Sequence, residues 1–160
     1  MSYEKSQNSG PENTVIHVGI GIVVRRGTAS AQDSGAPTPP LHEILITRRR
    51  DGTVYAGYWE LPGGKLDPGE SVEAGVEREL REELGIAVTV GQALPEVQHT
   101  YPHGTVRLHP RLCAMTDASP APRDLEVAEH RWVRLAELGD FAFPEANESI
   151  IEALAAVLGG

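Results

Sequence analysis

Three glutamates, Glu79, Glu82 and Glu83, stand at i, i+3 and i+4 in the stretch GKLDPGESVEAGVERELREELGI, residues 64–86. On an α-helix that spacing places them on one face. Carboxylates gathered so closely repel one another unless a cation joins them, and a hard, oxygen-seeking ion such as Mg2+ suits them. Helical glutamates more often form a solvated face, and the helical wheel separates the two cases. At about 100° per residue, Val72, Val76, Leu80 and Leu84 make an apolar stripe. Glu83 falls inside that stripe, Glu79 lies at its edge and Glu82 one step further round, while Glu77, Arg78 and Arg81 take the opposite side. An acid inside a buried stripe is costly unless it is paired or metal-bound. The cluster therefore reads as a divalent-metal site suited to chemistry on a diphosphate.

Local signals bound the helix that must carry these acids. Ser71 can cap its start, Glu73 favours its first turn and Gly85 ends it. Just ahead, Pro62-Gly63-Gly64 reads as neither helix nor mid-sheet strand, and its glycines let the backbone approach a ligand. Residues 14–25 (TVIHVGIGIVVR) are β-branched and apolar, as in a buried strand. Residues 27–40, rich in Ala, Ser, Gly and Pro, form an exposed loop that leads to a second strand, HEILITRRR, ending in Arg48, Arg49 and Arg50. A turn-rich segment, DGTVYAGYWELPGG, follows. Strands are expected at 86–98, 104–116 and 130–134, the last around Trp132 and reached through the acidic loop TDASPAPRDLEVAE. A closing helix spans 145–158, with Ile150, Ile151, Leu154 and Leu158 on one stripe. This order suggests a mixed sheet between helical layers.

Composition narrows the function. The chain has 160 residues, the natural size of one domain, and a net charge of −9, which disfavours a nucleic-acid polymer and leaves a small nucleotide as partner if metal ions supply positive charge. The single cysteine, Cys113, excludes an internal disulfide, fits a reducing, cytoplasmic setting and sits in an apolar run as a packed thiol. No segment has the length and apolarity to cross a membrane. Residues 1–13 lack the apolar stretch of a secretory signal and read as a flexible lead.

Gly64, Glu70, Arg78, Glu79, Leu80, Glu82, Glu83, Gly85 and Ile86 fill every fixed place of a known pattern, and the segment resembles the Nudix box. That resemblance implies a Nudix-type α/β/α sandwich with a mixed central sheet over a single domain, residues 14–160. It also implies hydrolysis of a phosphoanhydride with Mg2+, or Mn2+ in its place. By the same correspondence Glu79, Glu82 and Glu83 are metal ligands or catalytic acids, and Gly63 or Gly64 adds a backbone carbonyl. Glu70 and Arg78 would be the structural pair that orients the helix acids. A late loop acid often joins such sites as base or ligand. Glu126 or Glu129 would be that acid here, unless both are solvated loop residues.

Outside the box, ILITRRR, WELPGGK and FPEANESI resemble the MutT-type 8-oxo-dGTP diphosphatases. In that light Arg49 would contact nucleotide, Glu60, Leu61, Pro62 and Gly63 would line the pocket, and Asn147 would offer its amide to a purine edge. Each has a plainer alternative: Arg49 a surface arginine, Asn147 a helix cap. Lys65 would contact phosphate, orient a carboxylate or simply be exposed. The chain departs from the group at Gly104 and Val54, where those enzymes have an arginine and a histidine near the nucleotide. His99, Tyr101 and His103 cluster nearby and could meet a base instead. The resemblance implies cleavage of a nucleoside triphosphate, 8-oxo-dGTP above all, to monophosphate and pyrophosphate. The alternatives are CTP, another nucleotide or a nucleotide sugar. A non-catalytic Nudix binding module is disfavoured because every acid of the box is kept.

Overall fold

The computed structural model describes residues 14–27, 41–102 and 104–159. The expected lead at 1–13, nearly all of the 27–40 loop and His103 lie outside the described residues. In chain order the elements are β1 (Val15–Arg26), β2 (His42–Arg48), β3 (Trp59–Glu60), β4 (Gly63–Lys65), α1 (Val72–Leu84), β5 (Val88–Ala93), β6 (Val97–Tyr101), β7 (Gly104–Met115), β8 (Glu129–Arg134), a 3-10 turn at Leu135–Asp140 and α2 (Glu145–Leu158).

The strands form a mixed sheet with central order β3-β2-β1-β7-β5. β1 and β7 run parallel, from Val15 opposite Thr105 to Val23 opposite Cys113, and the other pairings are antiparallel. Alternation along the strands assigns the faces, because successive strand side chains point to opposite sides. Val18, Ile20 and Ile22 of β1, with Ile44 and Ile46 of β2, pack with Ile150 and Leu154 of α2. Val23 and Leu45, from the same two strands, pack instead with Val76, Leu80 and Leu84 of α1. The two helices therefore cover opposite faces, giving the expected α/β/α sandwich. No described helix is long and apolar enough to cross a membrane.

On the α1 side β1 presents Gly19 and Gly21. A Cβ at Gly21 would lie 2.8 Å from Leu80 Cδ1, and one at Gly19 would lie 3.0 Å from Val76 Cγ2. The valine-rich strand is interrupted there because the helix sits directly on its backbone.

One expectation is corrected and one made more specific. The single strand at 86–98 is two, β5 and β6, both paired with β7. The register slips between Val90 and Ala93, and Pro95, which has no N–H to offer a ladder, lies in the gap. Pro62-Gly63-Gly64 was expected to be neither helix nor mid-sheet strand, and Gly63 and Gly64, with Lys65, form the short β4, which lies off the main strand path and pairs with β1 alone. A Cβ on Gly63 would run into the Gly19 carbonyl, so glycine is what admits the chain to that position.

Candidate active site

Helix α1 begins as its sequence dictates. Ser71 Oγ accepts the Ala74 N–H at 3.1 Å, and Gly85 closes the helix in the left-handed conformation at φ 68°. Glu83 is buried at 5 % exposure, inside the apolar stripe with Val76, Leu80 and Leu84. Arg78 does not stay on the solvent side where the wheel placed it. Its long side chain curls back along the chain, so that Nε and Nη2 donate to the two carboxylate oxygens of Glu70 at 2.8 and 2.9 Å, and Nη2 also reaches the Lys65 carbonyl. The remaining nitrogen, Nη1, donates to Glu79 Oε1 at 3.0 Å and to Glu82 Oε2 at 3.2 Å. One guanidinium thus ties the loop before the helix to two of the three helix acids. Those bonds from Arg78, and then one from the Asp67 backbone, hold the Glu70 carboxyl down at about 2.

The electrostatics of the other acids run the opposite way. Burial pushes Glu83 well above the usual carboxylate range, and the charges of Glu60 and Glu79 push it further. Burial also raises Glu79 against the pull of Arg78, with Glu82 and Glu126 adding to the rise. Glu60, on β3, is raised by burial although Arg49 Nη1 donates to its Oε2 at 3.0 Å. That pair is almost wholly enclosed, at 2 % and 9 % side-chain exposure. Arg49 is therefore not a surface arginine.

A cavity of about 40 Å³ is lined by Arg49, Arg50, Thr53, Glu60, Glu83, Glu126 and Val127. At about 10–15 Å³ per water-sized occupant, it has room for a few. Arg50, Thr53 and Val127 were not singled out by sequence; the only signal was the run of three arginines at the end of β2. Of the two late acids, Glu126 is at the cavity, while Glu129 sits on β8 with Arg48 Nε at 2.9 Å and Arg131 Nε at 3.4 Å. The loop carrying Glu126 is fastened to the end of α1, where the Leu125 and Glu126 N–H groups both donate to the Glu83 carbonyl.

On the α2 side of the sheet, Asn147 is buried and does not cap its helix, whose N-cap is Pro144. Its Oδ1 accepts the Leu61 N–H at 3.1 Å, which ties α2 to the segment ahead of β4. Lys65 is half-buried on β4, opposite Val18, and the Pro62 carbonyl accepts the Gly21 N–H. His99 and Tyr101 lie against each other on β6, ring centroids 4.4 Å apart, and Tyr101 is hydrogen-bonded to Tyr55.

The donor set fits a divalent cation. Glu83 Oε2 is buried without a hydrogen-bond partner, and the acids around it are raised by one another's charge, a combination that a hard cation relieves. Among the described residues no three acidic, histidine or cysteine side chains converge on one point, and Glu79 and Glu82 both accept from Arg78 Nη1. Glu79 also lies against Gly64, where any Cβ would strike its carboxylate.

Comparison with known proteins shows the family. Residues 40–153 match the NUDIX domain. Over 113 residues, 71% of this chain and 86% of the relative, the sequence is 34% identical to an 8-oxo-dGTP diphosphatase of Escherichia coli strain K12. Over 67 residues, 42% of this chain and 50% of the relative, it is 42% identical to a CTP pyrophosphohydrolase of the same strain. The fold is similar to the crystal structure of the MutT protein from Methanosarcina mazei Go1, with a TM-score of 0.69 and 26% identity, covering 93% of this chain and 98% of that one. Nudix hydrolases act on small nucleotides and generally use divalent metal ions. The matched domain and the acids gathered on α1 place the chain in one family: it is a Nudix hydrolase.

Proposed function

We propose that this hydrolase cleaves a nucleoside triphosphate to the monophosphate and pyrophosphate with Mg2+, and that 8-oxo-dGTP is its preferred substrate. The observation that carries the reading is the buried, unpartnered Glu83 Oε2 beside a cavity that Glu60 and Glu126 also line. Glu79, Glu82 and Glu83, with a backbone carbonyl of Gly63 or Gly64, would hold the ion. Bound there, Mg2+ would offset the charge of the triphosphate and lower the pKa of water. Arg78 sets the directions of Glu79 and Glu82, and Glu70 fixes Arg78. Glu126, exposed at the cavity, is the acid placed to take the proton of an attacking water. Arg49 contacts the nucleotide and Lys65 a phosphate, while Glu60, Leu61 and Pro62 form the wall. Asn147, its oxygen engaged by Leu61, has its amide NH2 to offer a purine edge. The E. coli 8-oxo-dGTP diphosphatase supports the choice of base.

A second reading is a CTP hydrolase, favoured by the 42% identity over 67 residues to the CTP pyrophosphohydrolase. Purified protein with Mg2+ should be offered 8-oxo-dGTP, dGTP, dCTP and CTP, and its products identified. Pyrophosphate release with the highest kcat/KM on 8-oxo-dGTP is expected. If 8-oxo-dGTP shows no advantage over dGTP and dCTP, the oxidised-guanine reading is dropped, and a preference for CTP puts the second in its place.

A further inference from the structure

We propose that Arg50 is a positioning residue that acts through Glu126, an inference resting on the metal-dependent hydrolysis above. The three consecutive arginines that begin at the end of β2 each grip a different element, and Arg49 and Arg50 line the cavity. Arg49 holds Glu60 on β3, and Arg48 holds Glu129 on β8. Arg50 Nη2 donates to the Leu125 carbonyl at 2.6 Å, and the backbone at Arg50 is itself held, since its carbonyl accepts Thr53 Oγ1 at 2.6 Å. On the far side of Glu126, the Ala128 N–H donates to the Arg48 carbonyl at 3.0 Å. Glu126 is therefore spanned: its own N–H is on the Glu83 carbonyl, the preceding carbonyl is on Arg50 and the peptide two residues on is on Arg48. Val127, between them, packs in the core beneath α1 with Leu45 and Leu84. Glu126 does not share that burial and lines the cavity.

Of these ties only the one from Arg50 is a side chain on the solvent side, so it can be removed without disturbing a ladder or the core. Main-chain bonds leave the carbonyl before Glu126 to this single guanidinium. Without it the peptide between Leu125 and Glu126 keeps only the bond from its N–H to the Glu83 carbonyl, and the aim of the Glu126 carboxylate loosens.

The test uses the full chain as wild type, Arg50→Ala, Arg50→Lys, Glu126→Gln and the double variant Arg50→Ala/Glu126→Gln. In Mg2+-dependent pyrophosphate release, Arg50→Ala is expected to lower kcat about tenfold, the low end for loss of an outer support, with KM nearly unchanged. Arg50→Lys, which keeps a donor, recovers part of the loss. In the Glu126→Gln background, Arg50→Ala should cost nothing more. Hydrogen exchange at the Leu125 and Glu126 amides should quicken in Arg50→Ala while α1 exchanges as in wild type, and affinity for Mn2+ alone, read by electron paramagnetic resonance, should stay at the wild-type value because the acids that would hold the ion are on α1. Unchanged exchange, losses that multiply in the double variant, or a rise in KM alone would each overturn the inference. If wild type hydrolyses no nucleotide, the proposed function fails by itself, and exchange at the Leu125 and Glu126 amides still decides whether Arg50 holds this segment.

Discussion

The Glu79 carboxylate rests on the α-carbon of Gly64, so closely that a Cβ at residue 64 would overlap Cδ and both carboxylate oxygens. Because the obstacle is the far end of a flexible side chain, Gly64→Ala should fold normally and push Glu79 aside. A displacement of that size at a reacting centre costs on the order of 10²-fold. We expect kcat for pyrophosphate release to fall by about that factor with circular dichroism unchanged; near-normal turnover would remove Glu79 from the chemistry.

Glu83→Gln should abolish Mg2+-dependent turnover and leave the protein folded. Its pH behaviour follows from the raised carboxyl. Between the unfolded value of 4.5 and the raised folded value, the native state takes up a proton that the unfolded chain does not. Without divalent ions, native stability should therefore rise as pH falls through that window, and Glu60 and Glu79 contribute with the same sign. Below about 4.5 the trend reverses, because Glu70, held at about 2, must then be protonated against its bonds to Arg78. Denaturant melts across pH should show the rise, and Glu83→Gln should flatten it.

Arg78→Lys keeps the charge but cannot fork onto Glu70 while also holding Glu79, Glu82 and the Lys65 carbonyl. The expected result is a loss of about 10- to 100-fold in apparent Mg2+ affinity, read as a higher Mg2+ concentration for half-maximal activity. A lysine variant with wild-type metal dependence would mean that the forked geometry is dispensable.

Asn147→Ala leaves the buried Leu61 N–H without its acceptor. The cost should be about 1–3 kcal/mol, seen as a drop of several degrees in Tm. If the amide also reads the base, the same variant should narrow the difference in kcat/KM between 8-oxo-dGTP and dGTP. Both effects can be measured on one preparation.

Features set by neighbours in sequence were legible. The bounds of α1 follow from Ser71 and Gly85, those of α2 from its apolar stripe, and the inward lean of Glu83 from the wheel alone. Features set by long side chains or by partners far along the chain were not. The wheel put Arg78 toward solvent, and its pairing with Glu70, eight residues back, was legible only through the resemblance, because a guanidinium reaches past its own helix face. The split of β5 from β6 depends on how each registers with β7, and Pro95 was its only local mark. Arg50 looked like its two neighbours until the loop from β7 to β8 came down beside it, a contact across 75 residues. Asn147 is not the helix cap it could have been, and its bond to Leu61, across 86 residues, had no local signal.

The bare glycines of β1 have a consequence for the whole set of acids. Gly19 and Gly21 are the floor on which α1 is seated, and Glu79, Glu82 and Glu83 all hang from that one rod. A methyl group at either place would act as a shim, lifting or tipping the rod and carrying every carboxylate with it, away from Gly64 on one flank and Glu126 on the other. The depth of the helix is thus a shared adjustment, set by two residues buried beneath it.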